Sequence, residues 1–104
     1  MDVVSVGTVT DGTLPVVLRG EIDFTNAARV REAVSSAVAG RRPSAVRIDM
    51  AEVAFLDSSG VGVLVDAMKA AWEVKAAFRV DRPSPRVFDQ LRIAGLLEAF
   101  GLSR

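Results

Sequence analysis

The chain has 104 residues, of which half are apolar and a quarter are charged. This length and composition are typical of one compact globular domain, here spanning residues 1–104. The 13 basic and 13 acidic residues cancel, so the charge balance does not predict binding to nucleic acid or to an anionic membrane.

The sequence contains no histidine and no cysteine. Disulfides are therefore excluded, the usual zinc ligands are missing, and neither a Ser-His-Asp triad nor a Cys-His pair can form. We expect no metal, no cofactor and no catalytic residue. The N-terminus lacks the pattern of a signal peptide, and the most apolar stretch, residues 61–65, is too short to span a membrane. We therefore expect a cytoplasmic protein without membrane insertion.

The first half of the sequence predicts a strand hairpin, a helix and a third strand. Val3–Thr10 and Leu14–Arg19 flank an Asp-Gly pair that is typical of a tight hairpin. A helix should begin near Asp23–Thr25, because Asp and Thr are acceptable N-caps, and should end at Gly40. The third strand, Ala45–Met50, alternates apolar and polar residues, which indicates one buried and one solvated face.

The next segment predicts a loop and a second helix. Residues 51–57 form the predicted loop, with Phe55 and Leu56 turned inward, and the helix opens at Asp57. Apolar residues recur along that helix at offsets of three or four, which predicts a buried face. This face comprises Val61, Leu64, Val65, Met68 and Trp72. We therefore expect Trp72 to belong to the core.

The last segment predicts a fourth strand and a third helix. Ala76–Asp81 alternates again in the manner of a half-buried strand. Ser84 is a good N-cap, and Pro85 suits the first helical position. Gly95 should end the helix, after which Leu96–Phe100 forms a short strand or coil.

The predicted order of elements is β-β-α-β-α-β-α. Strands of a parallel sheet that is covered on both faces are almost continuously apolar, whereas here polar residues occupy every second position. Because crossovers between parallel strands are right-handed, strands laid down side by side place their helices on one face. The sequence therefore predicts an α/β fold of two layers. Its mixed sheet has four to five strands, with the first strand antiparallel and the helices mainly on one face.

Residues 57–60 read Asp57-Ser58-Ser59-Gly60 and lie where the second helix begins. Capping alone explains them locally, since Asp is a good N-cap and Ser is tolerated in the first turn. The same helix end favours negative charge and can hold a phosphate carried by a serine. Both interpretations stay open on local grounds. Glycines at 60 and 62 each cost about 1 kcal/mol relative to alanine in a helix, which suggests a surface cleared for a partner.

A second polar turn, residues 20–23, follows the second strand. In isolation it is an exposed turn in which Asp23 or Thr25 caps the first helix. The carboxyl ends of neighbouring parallel strands meet at one edge of a sheet, and partners engage open α/β sheets there. We therefore expect this turn and Asp57 to lie at the same edge.

These motifs resemble the STAS domains, in particular the bacterial anti-sigma factor antagonists. The resemblance is carried by Gly-Glu-Ile-Asp at 20–23, by Phe-Leu-Asp-Ser-Ser-Gly-Val-Gly-Val-Leu at 55–64, and by the helix at 84–91 with Ala-Gly-Leu at 94–96. It extends in order over nearly the whole chain. It departs at 73–77, where family members usually carry glycines, and in the further strand and C-terminal helix of many members, which this sequence does not predict.

The resemblance implies that Ser58 is phosphorylated by a partner that is both an anti-sigma factor and a serine kinase of the histidine-kinase-like ATPase fold. The unmodified protein then binds this kinase and frees the sigma factor, without direct contact with nucleic acid. Phosphorylation ends the binding, and a PP2C-type phosphatase restores it. The partner-binding residues that the resemblance implies are Glu21, Asp23, Asp57, Ser58, Ser59 and Gly60.

Two other functions are compatible with the residues. One is a STAS domain that is never phosphorylated and serves as a regulatory subunit of a transporter or of a signalling assembly. The other is a small enzyme. Without histidine or cysteine it would need a carboxylate or Ser-Lys mechanism, and Lys69 and Lys75, the only two lysines, lie far along the chain from Ser58.

Overall fold

A computed structural model describes residues 2–102. The strands are β1 (Val4–Val6), β2 (Thr13–Ile22), β3 (Ala45–Leu56) and β4 (Ala77–Asp81), and the helices are α1 (Ala27–Arg41), α2 (Ser58–Glu73) and α3 (Pro85–Ile93). The strands form one sheet in the order β1-β2-β3-β4, with β1 antiparallel to β2 and the other neighbours parallel. The predicted order of elements and the antiparallel first strand are therefore confirmed.

The core lies between the helices and one face of the sheet. Over residues 14–18 of β2 and 46–50 of β3, alternate residues are 0–1% exposed, while the residues between them are only half-buried. These buried residues are Leu14, Val16 and Leu18 of β2 and Val46, Ile48 and Met50 of β3. The buried face of α1 is the predicted one, formed by Ala27, Val30, Val34 and Val38. This pattern confirms a two-layer domain with helices mainly on one face.

Strand β3 is twice as long as predicted, so the prediction of a loop over residues 51–57 was wrong. Strand β2 also continues through Ile22 and pairs with the second half of β3. The register of this pairing shifts twice along the way, and such irregularities interrupt the two-residue alternation that identifies a strand. Leu56 is buried as predicted, whereas Phe55 is half-buried and lies 4.9 Å from the Arg86 guanidinium, which sits over its ring.

The prediction that Trp72 belongs to the core was wrong, since this residue is 57% exposed. The buried face of α2 consists of Gly60, Val63, Leu64, Ala67, Met68 and Ala71. Half of these residues are glycine or alanine. The prediction considered only the large apolar residues, so the predicted face is rotated about the axis of α2 from the face that is buried.

Helix α1 begins and ends later than predicted. Asn26, rather than a residue within Asp23–Thr25, occupies the N-cap position. At the other end Gly40 remains helical, and Arg42 adopts the left-handed conformation with φ 46°. Its N–H then donates to the carbonyl of Val38 at 2.9 Å. A non-glycine residue in this region is uncommon, which is why the sequence favoured a stop at Gly40.

Strand β1 ends at Val6 rather than at Thr10. The N–H of Gly7 still donates to the carbonyl of Pro15 at 2.9 Å. Proline has no N–H to return to the ladder, so the regular pairing of β1 with β2 stops at this position.

The segment after α3 forms turns rather than a strand. Phe100 within it is fully buried and meets Phe78 edge-on, with 5.6 Å between the ring centres. Its carbonyl accepts the N–H of Val80 at 2.9 Å. This segment therefore covers the outer edge of β4 without becoming a fifth strand among the described residues.

Candidate functional site

Asp57 closes the N-terminus of α2 and connects it to the neighbouring turn. Its Oδ1 accepts the N–H of Gly60 at 2.9 Å, which confirms the predicted N-cap. Its Oδ2 accepts the N–H of Phe24 at 3.1 Å, and its own N–H donates to the carbonyl of Ile22 at 3.2 Å. The turns that follow β2 and β3 therefore meet at one edge of the sheet, as the parallel pairing of these strands predicted.

Ser58 and Ser59 form the first turn of α2 and differ in burial. Ser58 is exposed, and within residues 2–102 its hydroxyl makes no hydrogen bond; Ser59 is half-buried. No acidic residue lies in this first turn, and the unpaired N–H groups at a helix start favour negative charge. Of the two serines, Ser58 therefore has the more accessible hydroxyl.

Gly60 is required by a contact inside the protein. A Cβ at this position would lie 2.4 Å from the carbonyl oxygen of Ile22 and 3.1 Å from Cδ2 of Leu56. The residue is buried, so close packing of α2 on the end of β2 explains this glycine, where the sequence suggested a partner surface. At Gly62 a Cβ would meet no atom within 4 Å, and nothing within the fold explains the glycine there.

The turn between β2 and α1 is held by its own polar side chains. Asp23 Oδ1 accepts the N–H of Thr25 at 2.9 Å and also the Thr25 hydroxyl. These two hydrogen bonds, with the hydroxyl contributing most, hold the pKa of Asp23 below its ordinary value. Asn26 Oδ1 accepts the N–H of Asp23 at 3.0 Å, and its Nδ2 donates to the carbonyl of Glu21 at 2.9 Å. Asp23 is half-buried, while the side chain of Glu21 is exposed.

Gln90 of α3 supports the site from the side of β3 that faces away from β2. Strand β4 pairs only with the first half of β3, so within residues 2–102 the end of β3 has no strand on that side. The Gln90 side chain takes the place of a strand, since its Nε2 donates to the carbonyl of Leu56 at 2.7 Å and its Oε1 accepts the Leu56 N–H at 3.3 Å. Leu56 immediately precedes Asp57, so α3 helps to fix the start of α2.

Sequence reasoning did not identify Gln90, Phe24 or Asn26 as part of this edge. Gln90 lies 34 residues from Leu56, and a polar residue on a helix does not reveal a distant backbone partner. Phe24 next to Asp23 was the one available signal, because a large apolar residue in a polar turn is unusual.

Between residues 2 and 102, no helix is both long enough and apolar enough to cross a membrane. In the same range, no group of three or more carboxylates is placed to hold a metal ion.

Comparison with known proteins identifies the family. The STAS domain family matches residues 6–104. An anti-sigma-B factor antagonist of Listeria monocytogenes is 32% identical over 83 residues, which cover 80% of this chain and 72% of that protein. The fold matches an anti-sigma factor antagonist from Mycobacterium paratuberculosis with a TM-score of 0.84 and 29% identity, over 95% of this chain and 82% of the other. It also matches the Bacillus cell fate determinant SpoIIAA in its phosphorylated form, with a TM-score of 0.73 and 25% identity, over 93% and 86% of the two chains. The chain therefore belongs to the STAS domain family.

Proposed function

We propose that this protein is an anti-sigma factor antagonist that is switched off by phosphorylation of Ser58. In the unmodified state it binds an anti-sigma factor that is also a serine kinase, and the sigma factor is released. Similar proteins are named anti-sigma factor antagonists, and such STAS proteins are regulators rather than enzymes. The observation that carries the proposal is the exposed Ser58 hydroxyl on the first turn of α2, beside a cap that another residue provides.

The proposed modification is a phosphoryl transfer in which the partner supplies the catalytic groups. Ser58 Oγ attacks the γ-phosphorus of ATP, the bond to the ADP oxygen breaks, and the hydroxyl proton passes to a base of the kinase. Both Asp57 oxygens already accept backbone N–H groups. We therefore assign Asp57 to holding Ser58 in place rather than to removing its proton.

The phosphate should change binding much more than it changes the fold. It adds about −1.5 to −2 charges at pH 7. The helix N-terminus stabilises a surface anion by about 0.3–1 kcal/mol, and the adjacent Asp57 opposes this by a similar amount. Under a partner, however, an unpaired charge costs several kcal/mol to desolvate, and about 1.4 kcal/mol corresponds to a tenfold loss of affinity. The switch therefore operates at the interface.

Reversal requires a second partner. A PP2C-type metal-dependent phosphatase would direct water onto the phosphorus and release the Ser58 hydroxyl, which restores the binding form. In this proposal Glu21, Asp23 and Ser59 belong to the surface that the kinase covers, with Gly60 below it. The whole cycle takes place in the cytoplasm without direct contact with nucleic acid.

The test combines binding and phosphate mapping. The chain is mixed with each ATPase-type anti-sigma factor encoded in its own genome, first with Mg-ADP to measure binding and then with Mg-ATP to map phosphate by peptide mass. We expect one or more of these proteins to bind and to phosphorylate Ser58. Ser58→Ala should abolish the incorporation, and the matched control Ser59→Ala should retain it.

Three results would contradict the proposal. They are the absence of binding to every anti-sigma factor, phosphate found only on Ser59, and a phosphorylated form that binds as tightly as the unmodified form. Copurification with a transporter subunit instead of an ATPase would favour the alternative of a STAS subunit that is never phosphorylated.

A further inference from the structure

Phe24 is the most exposed large apolar side chain within residues 2–102, with 79% of its surface accessible. It lies in the turn between β2 and α1, where glycine and polar residues are usual. At this exposure its ring adds almost nothing to the core, so folding does not explain the residue. Single exposed apolar residues are common on protein surfaces, so the inference depends on what holds Phe24 and on where it lies.

The backbone around Phe24 is tied down on both sides. Its own N–H donates to Asp57 Oδ2 at 3.1 Å. The residues before and after it are joined by the hydrogen bond from the Thr25 N–H to Asp23 Oδ1 at 2.9 Å. Asn26 closes the turn through the N–H of Asp23 at 3.0 Å. An apolar side chain on such a fixed turn loses less conformational freedom on binding than one on a mobile loop.

Phe24 is also directly connected to the phosphorylation site of the proposed function. The carboxylate that accepts its N–H is the cap of α2, and Ser58 is the next residue after that cap. A partner that reaches the Ser58 hydroxyl must approach this same edge of the sheet. The second exposed aromatic residue, Trp72, lies 14 residues further along α2, or about 21 Å away along the helix axis.

We propose that Phe24 is an aromatic anchor that enters an apolar recess of the anti-sigma factor beside Ser58. This inference rests on the proposed function and adds to it a residue that determines affinity. Buried aromatic residues near the centre of an interface typically contribute most of its affinity. The charged and polar groups of the edge then orient the partner, while Phe24 provides most of the buried apolar area on this chain.

The experiment compares Phe24→Ala with Trp72→Ala, which removes an exposed aromatic side chain at the far end of α2. Both variants keep every backbone N–H, so the bond from residue 24 to Asp57 remains possible. Affinity for the anti-sigma factor in Mg-ADP is measured by calorimetry, and Ser58 phosphorylation is measured as kcat and KM. We expect Phe24→Ala to weaken binding by roughly 10-fold or more and to raise KM with little change in kcat. Trp72→Ala should match the wild type, and Phe24→Leu should bind with intermediate affinity.

The outcomes separate this inference from the proposed function. If the wild type binds no anti-sigma factor, both are overturned. If the wild type binds and Phe24→Ala binds equally well, only the anchor is overturned. Equal losses in Phe24→Ala and Trp72→Ala would also overturn it, because they would indicate a general effect of surface hydrophobicity. Self-association of the wild type that is lost in Phe24→Ala would assign the side chain to a second copy of this chain instead.

Discussion

The starts of α2 and α3 use similar residues, but their serines have opposite roles. At α3, Ser84 is the N-cap, and its Oγ accepts the N–H of Val87 at 3.2 Å. At α2, Asp57 is the N-cap, and Ser58 follows it as an exposed residue of the first turn. The Ser84 hydroxyl is therefore engaged by the backbone of its own helix, whereas the cap of α2 does not depend on the Ser58 hydroxyl. At α2 the serine hydroxyl stays accessible because another residue, Asp57, closes the helix.

Asp57 has a second advantage over a serine cap. A carboxylate has two oxygens, so Asp57 binds Gly60 with one and Phe24 with the other. One side chain thereby closes α2 and fixes the neighbouring turn with a separate oxygen for each N–H, whereas a serine offers one oxygen for both. At α3, the single Ser84 hydroxyl contacts only its own helix among the described residues.

The largest effect is expected from a substitution that breaks the start of α2. Gly60→Ala places a methyl group 2.4 Å from the carbonyl oxygen of Ile22, and this backbone atom cannot move easily. We expect a loss of about 3 kcal/mol in the free energy of unfolding, at the upper end for overpacked sites, measured by urea denaturation. The matched control is Gly62→Ala, which meets open space and should stabilise by up to about 1 kcal/mol. Equal stability of the two variants would contradict the close contact.

The second-largest effect tests how α3 supports the residue that precedes the start of α2. Gln90→Leu keeps the bulk of the side chain but leaves the N–H and carbonyl of Leu56 without their partner. We expect a loss of about 1–2 kcal/mol and faster amide exchange at Leu56. Asp89→Asn, which changes an exposed ion pair on the same helix, should leave both quantities nearly unchanged. Protection of the Leu56 amide that persists in Gln90→Leu would rule out this support.

An exchange of the capping residues sharpens the comparison itself. Asp57→Ser should still cap α2, so we expect a loss of less than about 1 kcal/mol in stability. Serine offers one oxygen where Asp57 uses a separate oxygen for each turn, so we expect the amide of Phe24 to exchange faster while that of Gly60 stays protected. The reciprocal Ser84→Asp should be close to neutral. Loss of protection at Gly60 as large as at Phe24 would show that the two carboxylate oxygens do not act separately.

The smallest effect concerns the segment between β4 and α3, where Arg82 donates to Asp49 of the neighbouring strand β3. This hydrogen bond from Arg82 is the main reason that the pKa of Asp49 lies below its ordinary value. A folded pKa below the unfolded value, about 3.9, means that the stabilisation is complete above that pH and is lost as the pH falls through the folded pKa.

Asp49→Asn tests this ion pair. We expect it to cost less than about 1 kcal/mol at pH 7, because Arg82 is largely exposed and solvent screens the pair. The difference from the wild type should disappear at acidic pH, below the folded pKa, in thermal unfolding measured across the pH range. A difference that persists unchanged at low pH would contradict the assignment to this carboxylate.

Local sequence was sufficient for the type and order of the elements and for the cap of α2. The alternation in β3 and β4 and the buried stripe of α1 follow from side-chain periodicity, which is a property of the chain itself. Asp57 and Ser84 were predicted as N-caps from their own chemistry, and both form the expected hydrogen bonds. The parallel order of β2 and β3 further predicted that the turns following them would meet.

Contacts between distant segments were decided only by the tertiary structure. The bulged pairing of β2 with β3 hid the second half of β3, and small residues on the buried face of α2 placed Trp72 outside the core. The sequence could identify Gly60 as unusual, but only the 2.4 Å approach to Ile22 explains it. The bonds from Gln90 to Leu56 and from Phe24 to Asp57 join residues more than 30 positions apart. Periodicity and propensity describe neighbours along the chain, so they determined where α2 begins and which residue caps it. The packing of α2 against two other segments decided which of its first two serines is exposed.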